Sequence, residues 1–234
     1  MVLCHWELLV ILGSSIIICS GMASSLKKTL RNQMRATLLS LSAEAIEAQS
    51  SAQNRRVMEL EVFRNCKGIS IYVPMENELQ TYTIIEAAMK AGKRVYIPKI
   101  TGGSPFDMVM IELSNVNQLD TFPKNKWGIS EPPLEMATGG DALILENIDL
   151  VLLPGVAFDA QCRRLGHGKG YYDCFLDRLV TTRADKGLAS PVMVGMSLSD
   201  QVLPHEDAGV AIPMDDHDKY LDYVVAPSAV YSRT

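Results

Sequence analysis

At 234 residues the chain is long enough for one α/β domain with a sizeable core and too short for two. An apolar share of 47% excludes general disorder. A net charge of -5 excludes a broad nucleic-acid surface, although basic residues can still converge on one phosphate-binding pocket.

Residues 1–21 differ from the rest. Residues 8–18 form an apolar run, interrupted by Gly13, Ser14 and Ser15, that is too short to span a bilayer. Its length suits a signal peptide, but the flank carries Glu7 and no Lys or Arg, and a mitochondrial presequence would be Arg-rich. We read residues 1–21 as an extension outside the folded domain, and residues 22–234 as a single domain without repeats or linkers. The five cysteines are odd in number and contain no C-x-x-C, so they read as reduced thiols rather than a zinc site or disulfide framework.

From Ser24 the pattern is helical, with Leu26, Leu30, Met34 and Leu38 recurring every four residues. On spacing alone, Lys27, Lys28 and Arg31 form a solvated basic face. Ser42, with Glu44 in the first turn, starts a second helix running to about Phe63. Residues 69–73 alternate and are β-branched, the mark of a first strand. Residues 81–91 read as a helix closed by Gly92, and residues 94–98 as a second strand. Strand, helix and strand in thirty residues make a βαβ unit and hence a parallel sheet. Met75 falls at the carboxyl end of the first strand, where open α/β sheets bind ligands, though a lone Met also serves as core. Residues 108–113 and 119–122 read as a third strand and its return. Trp127 then precedes Pro132-Pro133, either as an anchor for that loop or as a flat surface for a ring.

The most informative stretch begins at the apolar run Leu150–Leu153, a buried strand stopped by Pro154-Gly155. A loop with Asp159, Arg163 and Arg164 leads to Gly166-His167-Gly168-Lys169-Gly170, and Tyr171-Tyr172 leads into a helix expected over residues 173–181. Strand, glycine-rich turn and helix start can cradle phosphate through backbone N–H groups. The glycine spacing is neither a Walker A loop nor a dinucleotide fingerprint, and alone it also fits a plain turn. A further buried strand is expected at residues 191–195. The acids Asp215, Asp216, Asp218 and Asp222 precede a last strand at 223–225; such a run is often solvated, but the strand can fix it. The pattern predicts an α/β fold: a three-layer, open, mostly parallel sheet with helices on both faces and two N-terminal helices.

The combined string PGVAFD…RLGHGKGYYD resembles the 5-formyltetrahydrofolate cyclo-ligase family, also called 5,10-methenyltetrahydrofolate synthetases, from about Met22 to the C-terminus. The resemblance implies ATP- and magnesium-dependent ring closure of 5-formyltetrahydrofolate. It places ATP on the basic segment Lys27, Lys28, Thr29, Leu30 and Arg31 and on Arg164, Leu165, Gly166, His167, Gly168, Lys169, Gly170, Tyr171 and Tyr172. It places the folate substrate on Arg31, Met75, Gln80, Trp127, His167, Gly168, Lys169, Gly170 and Tyr171, although animal relatives carry an acid at the Gln80 position. It makes Asp173 and Asp218 the Mg2+ ligands. His167 reads as a phosphate or substrate contact, and a neutral histidine holds phosphate less strongly near pH 7 than a permanent cation does.

Cys162 stands where the family pattern has glycine; if that turn needs φ > 0, the cysteine costs about 1 kcal/mol. The expectation is a monomeric cytoplasmic enzyme of small-molecule substrates, without nucleic-acid or stable membrane partners. A mitochondrial location is the alternative, and secretion is set aside because ATP is required. Competing functional readings are a non-catalytic folate- or nucleotide-binding module on the same fold and a sugar-phosphate enzyme on a related sheet. The second would need a catalytic carboxylate pair and no basic N-terminal segment.

Overall fold

The computed structural model describes residues 20–125, 128–137, 144–203, 211–215 and 218–233. Of the N-terminal extension, only Ser20 and Gly21 are among them, and they begin α1 (Ser20–Leu39), so this helix crosses the boundary expected at Met22. Ser42 caps α2 (Ala43–Glu59), its side chain accepting from Ala45 N at 3.2 Å. The single helix expected through Phe63 is two: Leu60 is extended (φ -61°, ψ 137°), and α3 (Glu61–Asn65) follows. A continuous helix would turn Phe63 about 120° away from Val57. The break lets both enter one core, at 5% and 0% exposure.

Five parallel strands form the sheet's centre. β1 (Gly68–Ile71) is buried throughout; α4 (Tyr82–Lys90), with Ile84, Ile85 and Ala88 inward, returns the chain to β2 (Arg94–Ile100) beside it. β3 (Met108–Leu113) then adds an antiparallel edge. The expected return strand at 119–122 is instead one helical turn, α5 (Gln118–Thr121). Gln118 Oε1 accepts from Ser114 N at 2.7 Å, and Leu119 and Phe122 are buried at a three-residue interval, which suits a helix. β4 (Leu150–Leu153) joins the free side of β1 in parallel, Ile69 opposite Leu150. A small separate hairpin follows, β5 (Ala157–Phe158) with β6 (Arg164–Leu165). After α6 (Tyr171–Asp185), β7 (Val192–Met196) pairs with β4 and β8 (Tyr223–Val225) with β7, both in parallel. β9 (Val230–Ser232), which no sequence pattern announced, closes the second edge antiparallel to β8. The order is β3-β2-β1-β4-β7-β8-β9.

Side-chain alternation gives the sheet two apolar faces. Ile69, Ile71, Leu150, Leu152 and Val194 pack against Val57, Phe63, Ile84 and Ile85. Tyr96, Val151, Leu153 and Val224 pack against Phe175, Leu176 and Leu179 of α6. The three-layer, mostly parallel arrangement expected is the one formed. A third, smaller cluster fixes α1 across the β5–β6 hairpin: Leu30 and Met34 meet Val156, Ala157, Leu165, Leu203 and Ile212.

Candidate active site

The strand order reverses between β1 and β4, because the chain first builds outward through β2 and then returns to the other side of β1. Loops leaving adjacent strands at such a point diverge and leave a crevice. The loop after β1 carries Met75 and Gln80, and the chain after β4 carries the glycine-rich turn. An open depression of about 520 Å³ at the β2–β3 edge, lined by Lys93, Arg94 and Glu112 among others, shares no residue with either loop.

The β5–β6 hairpin aims the turn. Asp159, 2% exposed, closes it: Oδ1 accepts from Gln161 N at 3.1 Å and Arg163 N at 3.0 Å, and Oδ2 pairs with Arg163 Nε at 2.7 Å. Oδ2 also accepts from Ile212 N at 3.3 Å, tying the hairpin to the tail. Cys162 adopts φ 61°, the left-handed conformation that a glycine would take freely. Its side chain is fully buried, and burial pushes the thiol up to about 11. Strain relief and lost packing therefore oppose each other in Cys162→Gly, which is expected to change stability by less than about 1 kcal/mol. Cys162→Val puts a β-branched, larger side chain at φ > 0 and should cost about 2 kcal/mol, read from urea midpoints.

Arg164 anchors the turn from beneath. Its side chain is 6% exposed; NH2 donates to Asp173 Oδ1 at 2.7 Å and NH1 to the Pro154 carbonyl at 3.3 Å. The guanidinium also lies 5.7 Å from the Tyr172 ring centroid. The Tyr172 hydroxyl is held far above its ordinary range by burial and, secondarily, by the charge of Glu78. Gly168 (φ 87°) lies over Arg31, and a Cβ there would stand 3.2 Å from Arg31 Cζ. Gly170 (φ 72°) is the N-cap of α6. The helix thus begins at Tyr171, two residues before the expected start, and Asp173 lies in its first turn, where the helix dipole favours an anion. Lys169 is exposed and, among the described residues, engages no acid.

α1 brings one side of its basic segment to this turn. Arg31 Nε donates to the Gly166 carbonyl at 2.8 Å. Lys27, one helical turn earlier, is 7% exposed; its Nζ lies 2.7 Å from Asp215 Oδ2 and also donates to Asp218 Oδ2. Burial works against the ammonium charge, but the hydrogen bonds and fields of the two acids outweigh it and raise its pKa. Leu30 and Arg31 are half-buried, whereas Lys28 and Thr29 are exposed on the outer face. The expected nucleotide segment is therefore divided: Arg31 reaches the turn, Lys27 the tail acids, and Lys28 and Thr29 face solvent.

The loop after β1 is tied internally. Gln80 Nε2 donates to the carbonyls of Met75 (3.0 Å) and Glu78 (2.6 Å), so its amide braces the loop. Glu78 accepts from Met75 N at 3.0 Å, and its other oxygen lies 3.4 Å from His167 Nε2 on the glycine-rich turn. Sequence reasoning missed Glu78; the visible signal was an acid two residues before Gln80 in a short loop. Tyr171 OH donates to the Gly102 carbonyl at 3.3 Å, linking the turn to the chain between β2 and β3. Trp127 lies outside the described residues.

The two expected metal ligands sit on different cations, Asp173 on Arg164 and Asp218 on Lys27. Among the described residues, no three acid, histidine or cysteine side chains converge on one point. The oxygens present are hard carboxylate donors of the kind magnesium takes, and the pair Asp215–Asp218 already converges on a cation. The residues fit a divalent ion completed by phosphate oxygens and water.

Residues 23–227 match the model of the 5-formyltetrahydrofolate cyclo-ligase family. A probable 5-formyltetrahydrofolate cyclo-ligase of Schizosaccharomyces pombe is 36% identical over 215 residues, covering 88% of this chain and 98% of the relative. The 5-formyltetrahydrofolate cyclo-ligase of Mus musculus is 34% identical over 202 residues, covering 86% and 94%. The solution structure of Aquifex aeolicus 5,10-methenyltetrahydrofolate synthetase superposes with a TM-score of 0.66 at 25% identity, over 89% of this chain and 93% of that one. The chain belongs to the 5-formyltetrahydrofolate cyclo-ligase family of enzymes.

Proposed function

We propose that the protein uses ATP and magnesium to close 5-formyltetrahydrofolate to 5,10-methenyltetrahydrofolate, releasing ADP and phosphate. The observation that carries this reading is the Arg31–Gly166 hydrogen bond, 2.8 Å long, which seats the basic face of α1 on the glycine-rich turn at the switch point of the sheet. Phosphoryl transfer asks chiefly for positioning and positive charge. Arg31, Lys27 and Lys169 supply the charge, and the Gly168–Gly170 backbone ahead of α6 supplies directed N–H groups. Met75, Gln80, His167 and Tyr171 serve the folate, with Glu78 holding His167, and the family resemblance assigns Trp127 to the same substrate.

The chemistry balances without a protein nucleophile. The formyl oxygen attacks the γ-phosphorus, and ADP leaves. N10 then attacks the formyl carbon and loses its proton, and phosphate departs with the electron pair of the C–O bond. Asp173 and Asp218 would hold magnesium, which when bound neutralises phosphate charge. Asp218→Asn should raise the magnesium needed for half-maximal rate by about tenfold. An unchanged magnesium dependence would leave Asp218 as a counter-ion of Lys27 alone.

We further propose that the protein acts as a monomer in the cytoplasm and that residues 22–234 suffice for turnover. Among the described residues, no helix is long and apolar enough to cross a membrane. A chain beginning at Met22 should match the full chain in unfolding midpoint and rate; aggregation or lost turnover would make residues 1–21 part of the domain. The reaction itself is tested by phosphate release, which should require ATP and 5-formyltetrahydrofolate together. Release without the folate, or folate binding with no release, would overturn the reading, the second outcome in favour of a binding module.

A further inference from the structure

Asp215 has no role in the reaction as outlined, yet it shares a cation with Asp218. The two carboxylates reach Lys27 from the tail, 188 and 191 residues away in sequence. The loop is set for this: Asp218 Oδ2 accepts from Asp215 N at 2.7 Å, and Asp218 N donates to the Asp215 carbonyl at 3.0 Å. The three side chains differ in exposure. Lys27 is 9% exposed, whereas Asp215 and Asp218 are 43% and 23% exposed. The ammonium is buried, whereas both carboxylates keep part of their surface exposed.

We propose that Asp215 joins Asp218 as a ligand of the divalent cation, and that Lys27 is the exchangeable counter-ion of this pair, handed to nucleotide phosphate when the metal takes the acids. This assignment rests on the reaction proposed above. Three observations carry it. The pair already converges on a cation, and both ligands are hard oxygens. Lys27 lies four residues before Arg31 on one helix face, a rise of roughly 6 Å along α1, and Arg31 touches the glycine-rich turn. With the acids on magnesium, the Lys27 ammonium needs a new anion, and the phosphates are the nearest the reaction brings. Metal and nucleotide then favour each other's binding reciprocally.

The exchange gives Lys27→Met opposite effects on the two ligands. Titrated with magnesium chloride alone, the full-length variant should bind magnesium about ten- to a hundredfold more tightly than the unaltered chain, because a charge-assisted competitor is gone. Its affinity for ATP should fall by a similar factor. Asp215→Asn in the otherwise unaltered chain should weaken magnesium binding in the presence of ATP. In the unaltered chain, magnesium chloride alone should speed backbone hydrogen exchange in the first turns of α1, a readout that needs no variant to fold. Unchanged or weaker magnesium binding by Lys27→Met, or exchange in α1 indifferent to magnesium, would overturn the assignment while leaving a chain that forms product as proposed. Failure of the unaltered chain to bind ATP at all would overturn the reaction as well.

Discussion

Arg164→Met should be the most damaging single change in the turn, lowering stability by about 2–3 kcal/mol. Breaking a buried ion pair by removing one partner costs about 3–5 kcal/mol. Asp173 is 32% exposed on its side chain, so water recovers part of that. Methionine keeps the stem's volume but gives up the hydrogen bonds to Asp173 and to the Pro154 carbonyl and the contact with Tyr172. The loss should appear in the urea midpoint. Adding Asp173→Asn should restore about half of it, since the unpaired charge is then gone. Full restoration is not expected, because the Pro154 carbonyl still lacks its donor. If Arg164→Met unfolds at the same urea concentration as the unaltered chain, the guanidinium is not the anchor described here.

Lys169→Ala should raise the apparent KM for ATP about ten- to a hundredfold while leaving the fold intact. Lys169 is exposed and engages no acid among the described residues, so its removal breaks no ion pair with any of them. In the reaction proposed above it contributes a point charge between two glycines whose left-handed backbone can turn N–H groups toward an anion. A charge-assisted contact of about 1.5–3 kcal/mol sets the range. The backbone cradle survives, so residual turnover is expected. Lys169→Glu should be worse than Lys169→Gly, because it adds repulsion to the loss. A normal ATP dependence with a large folate defect would move Lys169 from the nucleotide to the glutamate tail of the substrate.

The parallel sheet and its glycine-rich turn were legible because their signals are local. Leu150–Leu153, Pro154-Gly155 and the spaced glycines mark a strand, its stop and a helix start within some twenty residues. The family glycine at the place of Cys162 only raised the question of φ > 0 there, and φ is 61°. Other features depend on partners far away in sequence. The two-residue strands β5 and β6 carry no period. β9 exists because β8 offers it an edge. The break at Leu60 follows from where Val57 and Phe63 must point. Glu78 gains its role from His167, 89 residues later. The pairing of Lys27 with Asp215 and Asp218 joins the two ends of the chain, and no motif spans that distance. Helical geometry alone held one unused clue: at 100° per residue, Lys28 and Thr29 turn away from the face that Lys27 and Arg31 share.

The most direct measurement is the absorbance of the methenyl chromophore. Protein, 5-formyltetrahydrofolate, magnesium and ATP are mixed, and the absorbance is followed beside phosphate release. The chromophore should grow only when ATP and magnesium are both present, with one phosphate released per methenyl group formed. A chromophore that fails to grow while ATP and folate both bind, or one that grows without ATP, would contradict it.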